Sequence, residues 1–427
     1  AVFRLLAGLD VPRKGLIGPW SHKYPHLGVP GPAIGFLQEQ LRWWDHWLKG
    51  IDRGVMDEPM LRVWMQDSVP PTTSYEHRPG RWVAEPQWPT PHVESHYFGL
   101  EQDRLTAPGE TSHAHALTEQ SPLTTGLFAG KWCSYAAGPD LAHDQRQEDG
   151  GAEVFDSEPL EAPIEILGSP VAELEISVDR PVAMIAARLS DVAPDDKATR
   201  VTYGLLNLTH RDGSESPRPL EPGERYRVHV TLNGIAQNFP AGHRLRLSLS
   251  TSYWPLAWAA PEPVRLTIHT GGSSLRLPVR PPRTGDEDLR PFEEPEAAAP
   301  APVAQIEPAH HNWWVHRDLE RDASTLEVVN DQGTKHHEAI DLVTRARAVE
   351  RYTSIADDFE SLRAEAEWTR ALERGDWAIR TVTRTVLTCT KDHFLLRADL
   401  DAYERVDGGE KRVFCHSWDE RIPRDLV

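Results

Sequence analysis

The chain has 427 residues, a formal net charge of −19 and 39% hydrophobic residues, with tryptophan at 15 positions. That length fits two or three domains with real cores, and the acid excess argues against nucleic acid and anionic membrane surfaces, since both need basic patches. No apolar run approaches the ~20 residues of a spanning helix, while Cys133, Cys389 and Cys415 form neither a disulfide framework nor a zinc site and fit a reducing, cytoplasmic compartment.

Residues 1–13 read as the end of a helix (Phe3, Leu5, Leu6) and a polar turn through Asp10 and Pro12. Lys14–Gly18 is a short strand, and His22 lies in the loop that leaves it. A histidine there can sit at the open end of a sheet, where acid–base chemistry needs an imidazole. Asp10 reads as an exposed turn aspartate rather than its partner. After Pro30 and Pro32, Leu37, Leu41, Trp44 and Leu48 make one apolar stripe, widened by Trp47, along a helix over Phe36–Lys49. Gln38, Glu39, Arg42, Asp45 and Lys49 lie away from the stripe, and Gly50 is a natural C-terminal cap. The stripe is expected to be buried.

From Leu61 the period changes from 3.6 to 2. Leu61–Gln66 is a strand, and the Pro/Gly-rich stretch to Pro91 reads as a long loop anchored by Trp82 and Trp88. Further strands are predicted at Val171–Val178, Met184–Val192, Val201–Leu208, Tyr226–Leu232, Leu245–Thr251 and Val264–His269. Turn signals separate them, as at Arg211-Asp212-Gly213 and Pro240-Ala241-Gly242. Many short strands so punctuated mean a sandwich or jelly roll. Trp254 and Trp258, with Trp82 and Trp88, read as packing aromatics before they read as substrate walls.

Residues 281–308, rich in Pro, Glu and Ala, read as a linker or long surface loop. Beyond it, strands are expected at Leu326–Val329 and Arg380–Thr390, and a hairpin through Asp407-Gly408-Gly409 joins Leu395–Glu404 to Arg412–Trp418. One helical piece is expected at about Phe359–Glu373. Few of these strands could close a core alone, so residues 309–427 are expected to complete the sandwich.

Chemical motifs are scarce. There is no Gly-x-Ser-x-Gly elbow, Walker loop, dinucleotide fingerprint or His-Glu-x-x-His; Gly271-Gly-Ser-Ser-Leu275 reads as a turn. The histidines at 113/115, 310/311 and 336/337 lack partners at metal spacing. No metal and no cofactor is expected.

Gly18-Pro-Trp-Ser-His22, followed by Glu39-Gln-Leu-Arg-Trp-Trp-Asp-His-Trp-Leu-Lys-Gly50, resembles the catalytic-histidine region of the X-Pro dipeptidyl-peptidase and cocaine-esterase-like (CocE/NonD-type) serine hydrolases. The resemblance continues through Pro59–Gln66, Phe155-Asp-Ser-Glu-Pro-Leu160, Gly168-Ser-Pro170, Ala187-Arg-Leu-Ser-Asp-Val192, Pro240-Ala-Gly-His-Arg-Leu245 and Trp418-Asp-Glu-Arg-Ile-Pro-Arg424. It implies a mostly β chain: a galactose-binding-like jelly-roll β-sandwich (59–280) preceded by the C-terminal remnant of an α/β-hydrolase domain (1–58). It also implies that His22 is the triad histidine, taking the serine proton in acylation and returning it to the leaving group.

The family's triad runs Ser, Asp, His along the chain. The first twenty residues contain no serine, so the chain reads as a C-terminal portion without its nucleophile, inactive alone. The chain opens at Ala1, without Met or a signal-peptide pattern, which leaves a preceding signal open. The resemblance implies a small-molecule ester or short peptide as substrate and is compatible with a homo-oligomer. The alternative is a non-catalytic binding or assembly module.

Overall fold

The computed structural model describes residues 1–136 and 138–427. Strands hold 46% of the residues and helices 9%, so the mostly-β class holds. Among the described residues, no helix is long and apolar enough to cross a membrane.

Sixteen strands between Gly15 and Val279 form one hydrogen-bonded network, which folds into two layers around a shared core. In one layer Val171–Val178 runs antiparallel to Tyr226–Thr231, Leu266–His269 and Ser274–Val279. In the other, Met184–Val192 lies between Ala198–Asn207 and Arg244–Ser250. The strand Glu94–Glu101 pairs with Ser274–Val279 and with Arg104–Leu105, joining the layers. Period-2 alternation points Leu174, Ile176, Val228 and Val230 from one side and Ile185, Leu189, Leu247 and Leu249 from the other into one core. The sequence pattern placed Val171–Val178, Met184–Val192, Ala198–Asn207, Tyr226–Thr231, Arg244–Ser250 and Leu266–His269 to within a few residues at their ends, and missed Glu94–Glu101, Arg104–Leu105 and Ser274–Val279.

The first 58 residues lie along the edge of this network. Helix Val2–Gly8 buries Leu6, and strand Gly15–Ile17 pairs in parallel with Leu61–Gln66, Gly15 opposite Leu61 and Ile17 opposite Val63. The expected loop from Asp67 to Pro91 contains one more strand, Gly80–Glu85, antiparallel to Leu61–Gln66. Trp82 therefore sits in a strand, edge-on to Trp64 and Phe292. Helix Phe36–Lys49 forms as expected and ends at Gly50 in the left-handed region, φ 66°. Its stripe is a correction. Leu37, Leu41, Trp44 and Leu48 are 40%, 56%, 51% and 74% exposed, and the buried residue is Asp45. The polar side faces inward: Arg42 bonds Glu39 and Glu58, and Asp45 accepts from Lys49 and Arg53.

The segment after Val279 is laced to that helix rather than free. Arg290 bonds Glu58 and Glu39, Phe292 stacks under the Arg62 guanidinium at 3.8 Å, and Gly35 N–H donates to the Glu293 carbonyl. Its last residues, Val303–Glu307, are already a strand.

Strands from Val303 to Pro423 form a second, eight-stranded antiparallel sheet, and among the described residues they pair only with one another. The expectation that they add strands to the sandwich is corrected. Long strands supply the reason: Ala323–His337, Leu342–Ile355, Asp358–Arg374, Trp377–Cys389, His393–Val406 and Gly409–Pro423 satisfy each other's backbones in an up-and-down meander. Near its base, Tyr352, Leu362, Ala364 and Phe394 pack on Leu123, Trp254 and Trp258 of the sandwich. The opposite face carries ion pairs such as Arg351–Glu327 and Arg384–Glu367.

The helix expected at Phe359–Glu373 is the middle of the strand Asp358–Arg374. Its Ala, Glu, Leu and Arg favour helix intrinsically. Alternation won instead, with Ala364, Ala366 and Trp368 on one face and Glu365 and Glu367 on the other, Glu367 lying opposite Arg384.

Candidate active site

His22 lies five residues past the strand Gly15–Ile17, in a loop held mainly through its backbone. The Ser21 N–H donates to the Val29 carbonyl, and the His22 N–H donates to the Ser134 carbonyl at 2.7 Å. Trp20 braces the loop from within, its indole N–H donating to the Pro32 carbonyl at 2.7 Å. Beside Trp20, Gly18 and Gly28 are required: a Cβ at either would stand 2.5 Å or 2.2 Å from the indole.

The wall facing His22 comes from Ser134 and Tyr135, more than a hundred positions along the chain. Tyr135 meets the imidazole edge-on, ring centroids 4.8 Å apart. Ser21 Oγ–H donates to Ser134 Oγ at 2.8 Å, and Ser134 donates in turn to the buried Asp140 carboxylate at 2.8 Å. The Tyr135 N–H donates to the other Asp140 oxygen at 2.7 Å. Asp140 thus fixes the loop that contacts His22, and this serine–serine–aspartate chain ends without reaching the imidazole. Asp10 is exposed and makes no hydrogen bond to His22 among the described residues. The His22 side chain itself is exposed, with neither ring nitrogen hydrogen-bonded among the described residues. A base needs a carboxylate to orient it and a hydroxyl to deprotonate; the described residues place neither against this ring.

Sequence reasoning missed Ser134, Tyr135 and Asp140. No local pattern marks them, because what brings them to His22 is the long-range path of the 121–149 segment. That segment is anchored from below: Glu148 accepts from the Gly126 and Phe128 N–H groups, while Arg188, fully buried, reaches Asp149 at 3.2 Å. Burial pushes the Glu148 carboxyl up.

The other candidates resolve as structure. Trp254 is buried against Trp258 and Tyr352, where the sandwich meets the second sheet. Trp88 packs on Phe3. Of Gly271-Gly-Ser-Ser-Leu275 only the first part is a turn, Thr270–Gly272, with Ser273 Oγ donating to the His269 carbonyl; Ser274 and Leu275 open the strand Ser274–Val279. Among the described residues no three potential ligands cluster as for a metal ion.

Residues 53–300 match the X-Pro dipeptidyl-peptidase C-terminal non-catalytic domain. The chain is similar to a Mycobacterium bovis protein named "putative serine esterase", 27% identical over 261 residues, covering 55% of this chain and 40% of the relative. The cocaine esterase of a Rhodococcus species is 23% identical over 261 residues, covering 56% and 44%. Among solved structures, an aminopeptidase from a marine-sediment Thaumarchaeota archaeon superposes with a TM-score of 0.51 at 17% identity. It covers 65% of this chain and 52% of that one. The match is one of fold. The chain thus spans about two fifths of the length of these curated relatives.

Proposed function

The chain belongs to the family of X-Pro dipeptidyl-peptidase C-terminal, non-catalytic domains, and on that premise we propose that it is the accessory portion of a serine hydrolase. In this reading the two-layered sandwich is a jelly roll of the galactose-binding-like type. Residues 1–58 are the end of an α/β-hydrolase domain whose earlier part supplies the nucleophile and the acid. His22 is its general base, and the reaction is hydrolysis of a small ester or short-peptide bond through an acyl-enzyme.

One observation carries the reading. The helix that directly follows the His22 loop turns its apolar stripe to solvent and its ion-paired side inward. An apolar helix face is stable when another element covers it, and an upstream hydrolase layer would be such a cover. The exposed imidazole, with no hydrogen-bond partner among the described residues, suits the same arrangement, since its carboxylate and hydroxyl partners would arrive with that layer. Tyr135 would then form part of the wall beside the reacting bond.

The second reading, a binding or assembly module without catalysis, is favoured by the lack of any Gly-x-Ser-x-Gly in the sequence. One experiment separates them. Hydrolysis of an activated aryl ester is measured for this chain, for a longer chain extended upstream through the preceding reading frame, and for that longer chain carrying His22→Ala. The hydrolase reading expects turnover only in the longer chain, and a loss of about 10³–10⁴-fold or more on substitution, because triad members act as a unit. Retention of most of the rate would remove His22 from the chemistry, and an inactive longer chain would leave the module.

A further inference from the structure

The second sheet lies outside the matched domain, and where it meets the sandwich the two enclose a cleft of about 490 Å³. Leu127, Phe128 and Leu141 line one side, and Trp313, Val315 and Leu326 the other. Small-molecule sites occupy this size range, with mainly apolar walls and a few polar groups. The polar side chains here are Thr73, His143, Gln147 and Asn312.

Charge sharpens the identity of an occupant. Charged residues make up 26% of the chain, yet among the described residues no Asp, Glu, Lys or Arg lines this cleft. An ionic ligand would lose hydration there and meet no counter-charge, whereas a neutral one loses little. The aromatic faces of Phe128 and Trp313 suit a flat ring.

Both walls are built independently of any ligand. The turn under Leu127 and Phe128 is pinned by the Glu148 carboxylate, at 2.6 Å from the Phe128 N–H. The strand His310–Asp318 is paired throughout its length with Ala323–Asp331. The cleft therefore exists before binding, which lowers the ordering cost a ligand must offset. Leu326 is buried while Val315 remains 38% exposed, so the apolar wall runs from a closed floor to an open mouth.

We propose that this cleft is a binding site for one small, uncharged, mainly aromatic molecule, held between Phe128 and Trp313 with Asn312 and His143 at its polar end. The proposal stands apart from the hydrolase reading, since none of these residues is placed in the reaction.

The test is a fluorescence titration of this chain with N-phenyl-1-naphthylamine, a neutral probe that brightens on leaving water. The expected result is saturable one-to-one binding, weakened at least tenfold in Val315→Arg and in Leu141→Arg. The anion 1-naphthoate should bind at least tenfold more weakly than the neutral probe. Circular dichroism and thermal unfolding accompany each variant. If Leu141→Arg fails to fold, Val315→Arg still decides, because its half-open position accommodates the longer side chain. No saturable binding, or binding undiminished by Val315→Arg, overturns the proposal. So does a loss produced instead by Leu41→Gln on the exposed helix stripe, which would put the probe there.

Discussion

Two apolar stripes stand in this sequence with equal clarity, and the fold treats them in opposite ways. Leu245, Leu247 and Leu249 are fully buried, with Leu247 opposite Leu189 on one neighbouring strand and Phe155 on the other. Leu37, Leu41, Trp44 and Leu48 form as regular a stripe, and all four are exposed. What is held down on the helix is its polar side, where Glu39 and Arg42 join Glu58 and Arg290 in one ion-paired cluster. Burial raises the Glu58 carboxyl, but the hydrogen bonds from Arg42 and Arg290 outweigh it and leave Glu58 below its ordinary range. Periodicity states that a face is to be covered. It does not state that the cover lies in the same chain.

The comparison is tested most severely at its buried end. Leu247→Ala should lower unfolding stability by about 2–5 kcal/mol, the transfer of the lost methyl groups plus the cavity left between two layers that cannot collapse. Urea denaturation followed by circular dichroism measures it. A loss below about 1 kcal/mol would show that the two layers do not close on Leu247, and the contrast with the helix would disappear.

How much could be read in advance follows the same division. Six strands of the sandwich, such as Val171–Val178 and Arg244–Ser250, were legible because apolar residues alternate along them and Gly and Pro turns mark their ends. Short ones such as Glu153–Asp156 and Ile235–Phe239 were not, since four or five residues show too little alternation. The strand Asp358–Arg374 was not, because its Ala, Glu and Arg content argues helix while its pairing with both neighbours decides. Residues 309–427 looked too poor in strands to stand alone. The strands missed there, such as His310–Asp318 and Leu342–Ile355, carry charged residues on both faces (Arg317 and Asp318, Glu350 and Arg351), so no clean apolar alternation marks them. His22 was singled out from its place after a strand and from a family resemblance. Tyr135 and Asp140, which shape its surroundings, were invisible, since nothing local reports a contact across more than a hundred residues.

Carboxylates extend the comparison. On the inward side of the helix each buried acid has a cation, Asp45 being held below its ordinary range first by the hydrogen bond from Lys49. In the sandwich, Glu153 lies on the strand Glu153–Asp156 opposite Leu249 and has no such partner among the described residues. Burial, then the charges of Asp103 and Glu119, push its carboxyl up to about 7. A raised carboxyl binds its proton more tightly in the folded state, so stability should fall as pH rises from the unfolded value near 4.5 through about 7. Glu153→Gln should remove that fall, making the variant more stable than the parent by about 1 kcal/mol at pH 8, after allowance for solvent screening. Melting temperatures from pH 4.5 to pH 8 test it: parallel curves for parent and variant would mean that Glu153 titrates normally.

The smallest expected effect lies at the exposed end of the comparison. The double substitution Leu41→Gln, Leu48→Gln should change the stability of this chain by no more than about 0.5 kcal/mol, because neither side chain leaves a packed environment. The helix loses little propensity, Gln being nearly as good a helix former as Leu, and the inward ion pairs are untouched. The same double change in a longer chain extended upstream should cost about 1.5–3 kcal/mol for each leucine that the added layer covers. Thermal unfolding of both chains, with and without the substitutions, measures the difference directly. A large loss in the present chain would mean that the stripe is already packed, against the fold described above. An equally small loss in the longer chain would mean that nothing upstream covers it, and the helix would then be an exposed apolar face with no hydrolase layer to complete it.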